Sequence, residues 1–326
     1  MKLYCYPYQL KFRHPFGIAH GTRTHTDVVY VKLVQENYVA WGEASLPPYL
    51  KDTQESVMLA LHEFQREVGH ENWESWQCLS EKMISNMPAR AALDMALWQM
   101  RVEMAGKKEI DMIKVDGNGS SHKKPSFFTI GLGEKSEISH KVKEGLAFGF
   151  QFFKIKLRGD EGDYEIIEEF EKCAAPFSFG VDINGGRKEH AEAEDFLHFL
   201  SAKKCLFAEQ PMAIGKQNKR FSGLGEKLKV IADESFQGIE DLQRISENYD
   251  GINIKLMKCG GLTQGIRIAE KASAMDLKIL VGSMSESTIG CSAAANLSSW
   301  AEWLDLDGPF LVVNDPFAEG SVHHFQ

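Results

Sequence analysis

The 326-residue sequence contains no long apolar run and no Cys-x-x-Cys pair, and its basic residues do not outnumber its acidic ones. A membrane-spanning helix needs about 20 consecutive apolar residues, and no stretch approaches this length. The first residues, MKLYCYPYQLKF, also lack the apolar core of a secretory signal peptide. These absences predict a cytoplasmic protein with no membrane partner.

The charge balance is acidic, with 37 lysine and arginine residues against 46 aspartate and glutamate residues and a net charge of −9. Without a basic tract, this balance argues against nucleic acid as a partner. It is compatible with an anionic small substrate, because a bound metal ion can reverse the local field. The six scattered cysteines favour reduced thiols over a disulfide framework. A homo-oligomer is compatible with the sequence.

The first third of the chain has the pattern of an α+β unit. Residues 28–34 are rich in β-branched side chains and predict a strand. The polar, glycine-containing residues 14–27 predict a mobile loop between two strands, and residues 42–49 predict a second loop. Helical patterns cover residues 53–67 and 88–104.

From about residue 125, short apolar strands alternate with helical segments, which predicts parallel βα units. Such units can form a barrel or a doubly wound sheet. We favour the barrel because polar residues recur at the C-terminal end of strand after strand, whereas a doubly wound sheet binds its ligand at one switch point. The predicted strands cover residues 126–130, 153–157, 178–182, 205–209, 229–232, 251–254, 278–281 and 301–304.

Five consecutive strands carry an ionisable group at their C-terminal ends. The steps from Lys156 to Asp182, Glu209, Asp233 and Lys255 are 26, 27, 24 and 22 residues, close to one βα unit each. Groups spaced in this way would form a ring at the mouth of a barrel, where active sites lie. Each of these residues has a structural explanation by itself, such as helix capping by an aspartate. All of these explanations would have to be true at once for the ring to have no function, and that combination is improbable.

The three carboxylates of the ring, Asp182, Glu209 and Asp233, provide hard oxygen ligands. With waters and a substrate carboxylate they would complete an octahedral Mg²⁺ site at about 2.0–2.1 Å. The absence of cysteine and histidine from this trio argues against zinc. We therefore predict one Mg²⁺ ion in each active site.

Lys154 and Lys156 are two residues apart and so face the same side of their strand. Two lysines on one face of a buried parallel strand are hard to explain by structure alone, although on an edge strand they would be solvated. A lysine must be partly neutral to act as a base, and a nearby cation lowers its pKa, so Lys154 is expected to tune Lys156. Lys255 comes from the far side of the ring, which suggests one lysine on each face of a bound carbon.

In order and spacing, these residues resemble the signature of the enolase superfamily, in its muconate-lactonising subgroup. Enolase-type sites use a lysine or histidine as the base, and magnesium stabilises the enediolate that proton removal produces. The resemblance implies that Lys156 and Lys255 are the acid/base pair and that the three carboxylates hold Mg²⁺. The mandelate racemase subgroup is disfavoured because residues 278–287 contain no histidine. The signature comprises Lys154-x-Lys156, Asp182-x-Asn184, Glu209-Gln-Pro, Asp233-Glu-Ser and Lys255.

The resemblance covers nearly the whole chain and implies its architecture. We expect an α/β fold with a modified TIM barrel, (β/α)7β, and an N-terminal α+β capping domain that is completed by the C-terminal tail. The cap would span residues 1–122 and the barrel residues 123–308. Residues 309–326 would return to the cap.

A finer resemblance is to the dipeptide epimerases, whose eighth strand ends in Asp-x-Asp and holds the ammonium group of the substrate. Here the matching run is D-L-D-G-P, with Asp305 and Asp307. Two carboxylates two residues apart suit a cation, although Asp-Gly is also typical of a turn. The run GSMSE after the seventh strand resembles the same group, and we expect Ser283, Ser285 and Asn184 among the substrate-binding residues.

Specificity is expected in the cap. The resemblance implies that the loop of residues 14–27 closes over the substrate and excludes water. Arg23 in this loop resembles the position that meets an acidic side chain in L-Ala-D/L-Glu epimerases, and arginine suits bidentate recognition of a carboxylate. A solvated loop arginine is the alternative.

Together these observations predict an isomerase. It would be a Mg²⁺-dependent dipeptide epimerase that inverts the α-carbon of the C-terminal residue by two-base proton transfer, with L-Ala-D/L-Glu or a related dipeptide as substrate. A cycloisomerase or o-succinylbenzoate synthase would use the same lysines and metal without needing the aspartate pair. The alternative from another class is a non-catalytic binding protein on an enolase-like scaffold. A nucleotide-binding oxidoreductase is disfavoured because the full glycine fingerprint is missing.

Overall fold

The computed structural model describes residues 1–18, 21–69, 73–106, 124–217 and 219–318. Within these residues the chain builds a small N-terminal unit of three strands and three helices, followed by a larger unit of eight parallel strands with helices between them. None of the helices in the described ranges is both long enough and apolar enough to cross a membrane.

The N-terminal unit, the cap, is an antiparallel meander with helices packed on it. Its strands β1 (Lys2–Ile18), β2 (Gly21–Gln35) and β3 (Tyr38–Leu46) pair in chain order. Helix α1 (Gln54–Val68) has Thr53 as its N-cap. The Thr53 hydroxyl accepts a hydrogen bond from the Ser56 N–H and so satisfies a free helix donor. Two further helices follow, α2 (Trp73–Met83) and α3 (Met87–Ala105).

The predicted mobile loop at residues 14–27 is wrong over most of its length, because β1 and β2 extend through it. Backbone pairing joins Phe16 to Arg23 and Gly17 to Thr22, beyond a register shift that follows Lys11. Pairing across the ladder satisfies the backbone here regardless of side-chain polarity, so composition was a poor guide. Residues 19 and 20 of the predicted loop lie outside the described residues.

The second predicted loop, at residues 42–49, is wrong in its first half for the same reason. Strand β3 runs to Leu46, and Gly42 lies within it. A Cβ atom at Gly42 would collide with the carbonyl oxygen of Ala92 on α3, so this glycine permits close packing of strand and helix rather than a turn. Helix α2 was not predicted at all.

The larger unit is the predicted barrel. Its eight parallel strands are hydrogen-bonded to one another in chain order, so there is no switch point of the kind a doubly wound sheet has. The first and last strands approach closely, since Phe127 N donates to Leu304 O at 2.9 Å. The strands are β4 (Phe128–Ile130), β5 (Phe152–Lys156), β6 (Ser178–Asp182), β7 (Cys205–Glu209), β8 (Lys229–Ala232), β9 (Gly251–Ile254), β10 (Lys278–Gly282) and β11 (Trp303–Asp305).

In the described part of the chain, eight helices accompany these strands. The longer ones cover the outside of the barrel, and their buried faces join the strands in one apolar core. They are α4 (Ile138–Ala147), α5 (Gly162–Ala174), α6 (His190–Ser201), α7 (Leu242–Asn248), α8 (Leu256–Cys259), α9 (Leu262–Ala274), α10 (Thr288–Ala295) and α11 (Gly308–Leu311).

The interior of the barrel is filled below the strand ends. Phe127, Phe207, Ile231 and Leu280 form an apolar cluster there. Gly180 leaves room for the Phe207 ring, which a Cβ atom would strike. With its lower part packed in this way, the barrel is open to ligands only at the C-terminal ends of its strands, as in other barrels of this type.

Residues that follow the barrel contact the cap. Val312 forms an antiparallel bridge with Phe12, and Val313 N donates to Lys11 O at 3.0 Å. The Asn314 side chain also donates to the Gln9 carbonyl at 2.9 Å. The predicted domain boundaries stay a prediction, since residues 107–123 and 319–326 lie outside the described residues.

Candidate active site

The order of the strands in the barrel determines where each motif lies around its mouth. Lys156 ends β5 and Lys255 directly follows β9, four strands further on, so the two lysines lie on opposite sides of an eight-stranded barrel. The strands between them, β6, β7 and β8, carry the three predicted metal-binding carboxylates. Asp305 ends β11, four strands from β7, and so faces Glu209 across the mouth. The structure thus brings the predicted residues together as a ring with two perpendicular axes.

Lys154 lies at the centre of this ring and is almost fully buried. Its Nζ is 2.6 Å from Glu209 Oε2, 2.7 Å from Asp305 Oδ2 and 3.5 Å from Asp182 Oδ2. Burial would lower the pKa of Lys154, but Asp305, Glu209 and Asp182 outweigh it and hold that pKa well above its usual value. In this structure Lys154 therefore neutralises acids from both sides of the mouth. Its predicted effect on Lys156 stays a prediction.

The two lysines predicted to move protons each contact one acid of the trio. Lys156 Nζ is 2.7 Å from Asp182 Oδ2, and Lys255 Nζ is 2.6 Å from Asp233 Oδ2. Asn184 is close to the first pair, with its Oδ1 3.4 Å from Lys156 Nζ. Both amines are thus held at the rim by short charge-assisted contacts.

The acid trio is fully buried, and its members influence one another strongly. Burial raises the pKa of Glu209 to about 8; Lys154 opposes this shift, while the charges of Asp182 and Asp233 add to it. Burial also acts to raise the pKa of Asp182 and Asp233, but the adjacent lysines outweigh it and lower both. Repulsion between the acids is therefore relieved by cations that lie between them.

The donor chemistry of this trio fits a hard divalent cation. Three carboxylates on adjacent strand ends are the oxygen ligands that Mg²⁺ prefers. One ammonium group, Lys154 Nζ, lies within 3.5 Å of both Glu209 and Asp182, and Lys255 Nζ reaches both Asp233 and Glu209. No three acidic, histidine or cysteine side chains in the described part of the chain converge on one metal position. A metal ion would have to take over the oxygens that the lysines contact here.

The aspartate pair lies at the opposite side of the mouth. Thr129 on β4 holds both acids, donating from its backbone N–H to Asp307 Oδ2 at 2.5 Å and from its hydroxyl to Asp305 Oδ1 at 3.3 Å. Burial, together with the charge of Asp305, raises the pKa of Asp307 to about 7. Two buried carboxylates at one end of a cavity form a site that favours a cation.

A cavity of about 310 Å³ opens between these groups. Ten of the twelve predicted site residues line it; the other two, Asp182 and Glu209, are fully buried at the barrel mouth. Cap residues Pro47 and Tyr49 also line this cavity. The predicted residues in its lining are Arg23, Lys154, Lys156, Asn184, Asp233, Lys255, Ser283, Ser285, Asp305 and Asp307.

Besides Thr129, sequence reasoning missed several residues that contact the site, and three of them illustrate why. Lys258 Nζ is 2.6 Å from Asp233 Oδ1, and Asn253 donates to Glu209 Oε1 at 2.7 Å. Tyr49, from the cap, donates its hydroxyl to the sulfur of Met284 at 2.9 Å. A signal for the first two was present, since both are polar residues in otherwise apolar runs beside Lys255.

The fold and the ring of charged groups define a class of cap-and-barrel enzymes. A sequence profile described as Mandelate racemase / muconate lactonizing enzyme, N-terminal domain, matches residues 2–111, and one described as Enolase C-terminal domain-like matches residues 137–311. The chain therefore belongs to the enolase superfamily, which confirms the resemblance of its motifs.

Individual relatives extend over nearly the whole chain. L-Ala-D/L-Glu epimerase from Bacteroides thetaiotaomicron is 34% identical over 97% of this chain and 82% of its own length. A hydrophobic dipeptide epimerase from a Flavobacteria bacterium is 30% identical, with coverage of 97% and 92%. The structure of a dipeptide epimerase from Methylococcus capsulatus, complexed with Mg and L-Arg-D-Lys, matches with a TM-score of 0.87 and 26% identity, covering 96% of this chain and 92% of that one.

Replacing Lys154 with methionine tests whether this amine neutralises the mouth of the barrel. Removing one partner from a buried ion network leaves uncompensated charge, so we expect the free energy of unfolding to fall by about 3–5 kcal/mol. Urea denaturation measures this loss. Lys135→Met is the control, because its 3.3 Å pair with Glu165 is exposed and should contribute about 0–1 kcal/mol. Equal losses in both variants would contradict the assignment.

Proposed function

We propose that this chain is a Mg²⁺-dependent dipeptide epimerase that inverts the α-carbon of the C-terminal residue of its substrate. The observation that carries the proposal is the placement of Lys156 and Lys255 on opposite sides of one cavity, with acids at both of its ends. The names of the relatives support the same reaction. A metal-dependent isomerase with two amine bases accounts for all of these features.

The cavity orients a dipeptide by charge. Its ammonium group binds to Asp305 and Asp307, both buried and directed into the lining by Thr129. Its carboxylate then extends towards the side of the acid trio, across the barrel mouth. In this orientation, the α-carbon that bears the carboxylate lies between the two strands that carry the lysines.

Inversion requires one base on each face of that carbon. One lysine removes the α-proton, and the lysine on the opposite face returns a proton, so each serves as base for one stereoisomer and as acid for the other. Asp182, Glu209 and Asp233 would hold magnesium, which would stabilise the negative charge that develops at the substrate carboxylate. The cap residue Tyr49 covers the cavity and restricts water.

The aspartate pair favours this reaction over the other chemistries of the subgroup. Asp305 and Asp307 are 6% and 3% exposed and line the cavity, so they are not the solvated acids of a turn. A cycloisomerase or o-succinylbenzoate synthase has no ammonium group to place there. A binding protein without catalysis would not need two amines on opposite strands.

We also propose that the enzyme acts in the cytoplasm. All six cysteines are free thiols in the structure, and a reducing compartment maintains such thiols.

Proton exchange in D₂O tests the roles of the two lysines. We expect the native protein to incorporate deuterium at the α-carbon of both stereoisomers, as read by mass spectrometry and chiral chromatography. Lys156→Ala and Lys255→Ala should each abolish epimerisation, and each should retain exchange with only one stereoisomer, because the opposite base remains. Lys135→Ala, at an exposed pair, is the control. An epimerising Lys156→Ala variant would refute the proposal.

Removal of the metal tests the acid trio without relying on turnover alone. Dialysis against EDTA should abolish epimerisation, and added Mg²⁺ should restore it. A cation that binds only the folded state at about 100 times its Kd stabilises it by about 2.7 kcal/mol, so Mg²⁺ should raise the Tm of the native protein. We expect this rise to disappear in Glu209→Gln and to persist in Glu103→Gln, an exposed cap variant. A Tm that ignores Mg²⁺ in the native protein would contradict the metal site.

Arg23 is the residue that we expect to contact the side chain of the epimerised residue. Its guanidinium lines the cavity and lies 5.5 Å from the Phe12 ring, and its buried Nε has no hydrogen-bond partner among the described residues. We propose that it receives an acidic side chain, as in an L-Ala-D/L-Glu substrate, because arginine pairs well with a carboxylate.

A panel of dipeptides tests this role of Arg23. Hydrogen bonds to charged groups contribute about 1.5–3 kcal/mol, so Arg23→Met should lower kcat/KM for L-Ala-L-Glu by about 10- to 100-fold. The same variant should change kcat/KM for L-Ala-L-Leu little. Equal effects on both dipeptides would show that Arg23 supports the cavity without selecting an acidic residue.

A further inference from the structure

Two glutamates that lie outside the substrate cavity meet where the cap contacts the barrel. Glu43 on β3 is 0% exposed, and Glu286 in the connection from β10 to α10 is 1% exposed. Both lie against Gly290: its N–H donates to Glu43 Oε2 at 3.1 Å, and a Cβ atom there would collide with Glu286 Oε2. The two carboxyl groups therefore lie beside the same glycine, both shielded from solvent.

The groups that hydrogen-bond to this pair are neutral donors. Glu43 accepts from the backbone N–H of Ser287 at 2.9 Å and from its hydroxyl at 2.6 Å, at the start of α10. Glu286 Oε1 accepts from Met284 N at 2.7 Å, while the buried Glu286 Oε2 has no hydrogen-bond partner among the described residues. The start of a helix stabilises one negative charge, but it does not offset two.

Two adjacent buried carboxylates cannot both be ionised at low cost. Burial, together with the charge of Glu286, raises the pKa of Glu43 to about 8, and burial raises that of Glu286 to about 7. These values belong to the pair rather than to either residue. Among the described residues, the other titratable groups near the pair are Tyr30, Lys255, Cys291, Asp307 and Asp315.

The same contact holds a wall of the substrate cavity. Ser283, Met284 and Ser285 line the cavity. Of the next two residues, Glu286 belongs to the glutamate pair and Ser287 donates to Glu43. Ser45 follows Glu43 by two residues and so shares its face of β3. Its hydroxyl donates to the Ser285 carbonyl at 2.9 Å. The cap strand thus grips the loop of residues 283–287 at two points.

We propose that Glu43 and Glu286 share one proton and, as that pair, hold the loop of residues 283–287 in the shape that substrate binding requires. Glu43 is then a positioning residue for a reaction in which it touches no reacting atom. The link to substrate rests on the proposed function, whereas the shared proton does not.

The direction of the pH dependence follows from the raised pKa values. The pair keeps a proton in the folded protein that two unfolded glutamates, with pKa values of about 4.3, would release. Its contribution to stability is therefore complete below about pH 4, and it is lost progressively as the pH rises to about 8. Above that pH, two like charges repel within the contact, which loosens the loop and raises KM while the lysines themselves stay in place.

The test compares the native protein with Glu43→Gln and Glu286→Gln across pH 6 to 9. Glutamine keeps the shape and the acceptor oxygen but cannot gain a second charge. For the native protein we expect Tm to fall over this range and KM to rise about tenfold between pH 7 and pH 9, as the fraction of protein with a competent loop falls. In both variants, Tm and KM should depend much less on pH than they do in the native protein. The pH dependence of kcat should be unchanged. Glu103→Gln is the exposed control.

Each outcome separates the parts of the proposal. If Glu43→Gln follows the native pH dependence of Tm, the shared proton is overturned. A flattened Tm with a native KM profile overturns the link between the pair and the cavity. Because a Tm measurement requires no turnover, it tests the shared proton even if the native protein epimerises no dipeptide. The absence of epimerisation would contradict the proposed function but not the shared proton. If one variant fails to fold, the other still provides the comparison.

Discussion

The structure depends on the mutual neutralisation of charges buried at the mouth of the barrel. Lys154 is the centre of this network, because its single amine contacts acids that belong to strands on opposite sides. Bringing these buried carboxylates and amines out of water costs free energy that only pairing recovers. The tightly packed barrel interior keeps water out of the network from below and so makes each pair strong. Stability and reactivity therefore have the same source.

Barrel closure gives this network its direction. Because the strands follow one another in chain order, residues four strands apart face each other across the mouth. One axis joins the two rim lysines, and the other joins Glu209 to Asp305. In the proposed function, a substrate that is charged at both ends would align with the second axis, and its reacting carbon would then lie on the first. The fold thus converts a repeated spacing in the chain into two amines on opposite sides of one cavity.

The cap contributes more than a cover. Its strand β3 contacts the loop after β10 through Glu43 and Ser45, and its residue Tyr49 lies over the same loop. The wall of the cavity is therefore built by both units. Arg23 adds a charge from the cap hairpin to the same cavity. The cap and the barrel therefore share the lining of one cavity.

The sequence by itself determined the barrel and its ring of charges, because each strand is a short apolar run and each functional residue ends such a run. It was misleading at residues 14–27 and 42–46, where backbone pairing and close packing against α3 override local composition. Only the tertiary structure decided which acid each lysine contacts, and only it revealed Lys258, Asn253 and the Glu43–Glu286 pair. Those contacts join residues distant in the chain, and the energy of a buried charge depends on neighbours that no local pattern records.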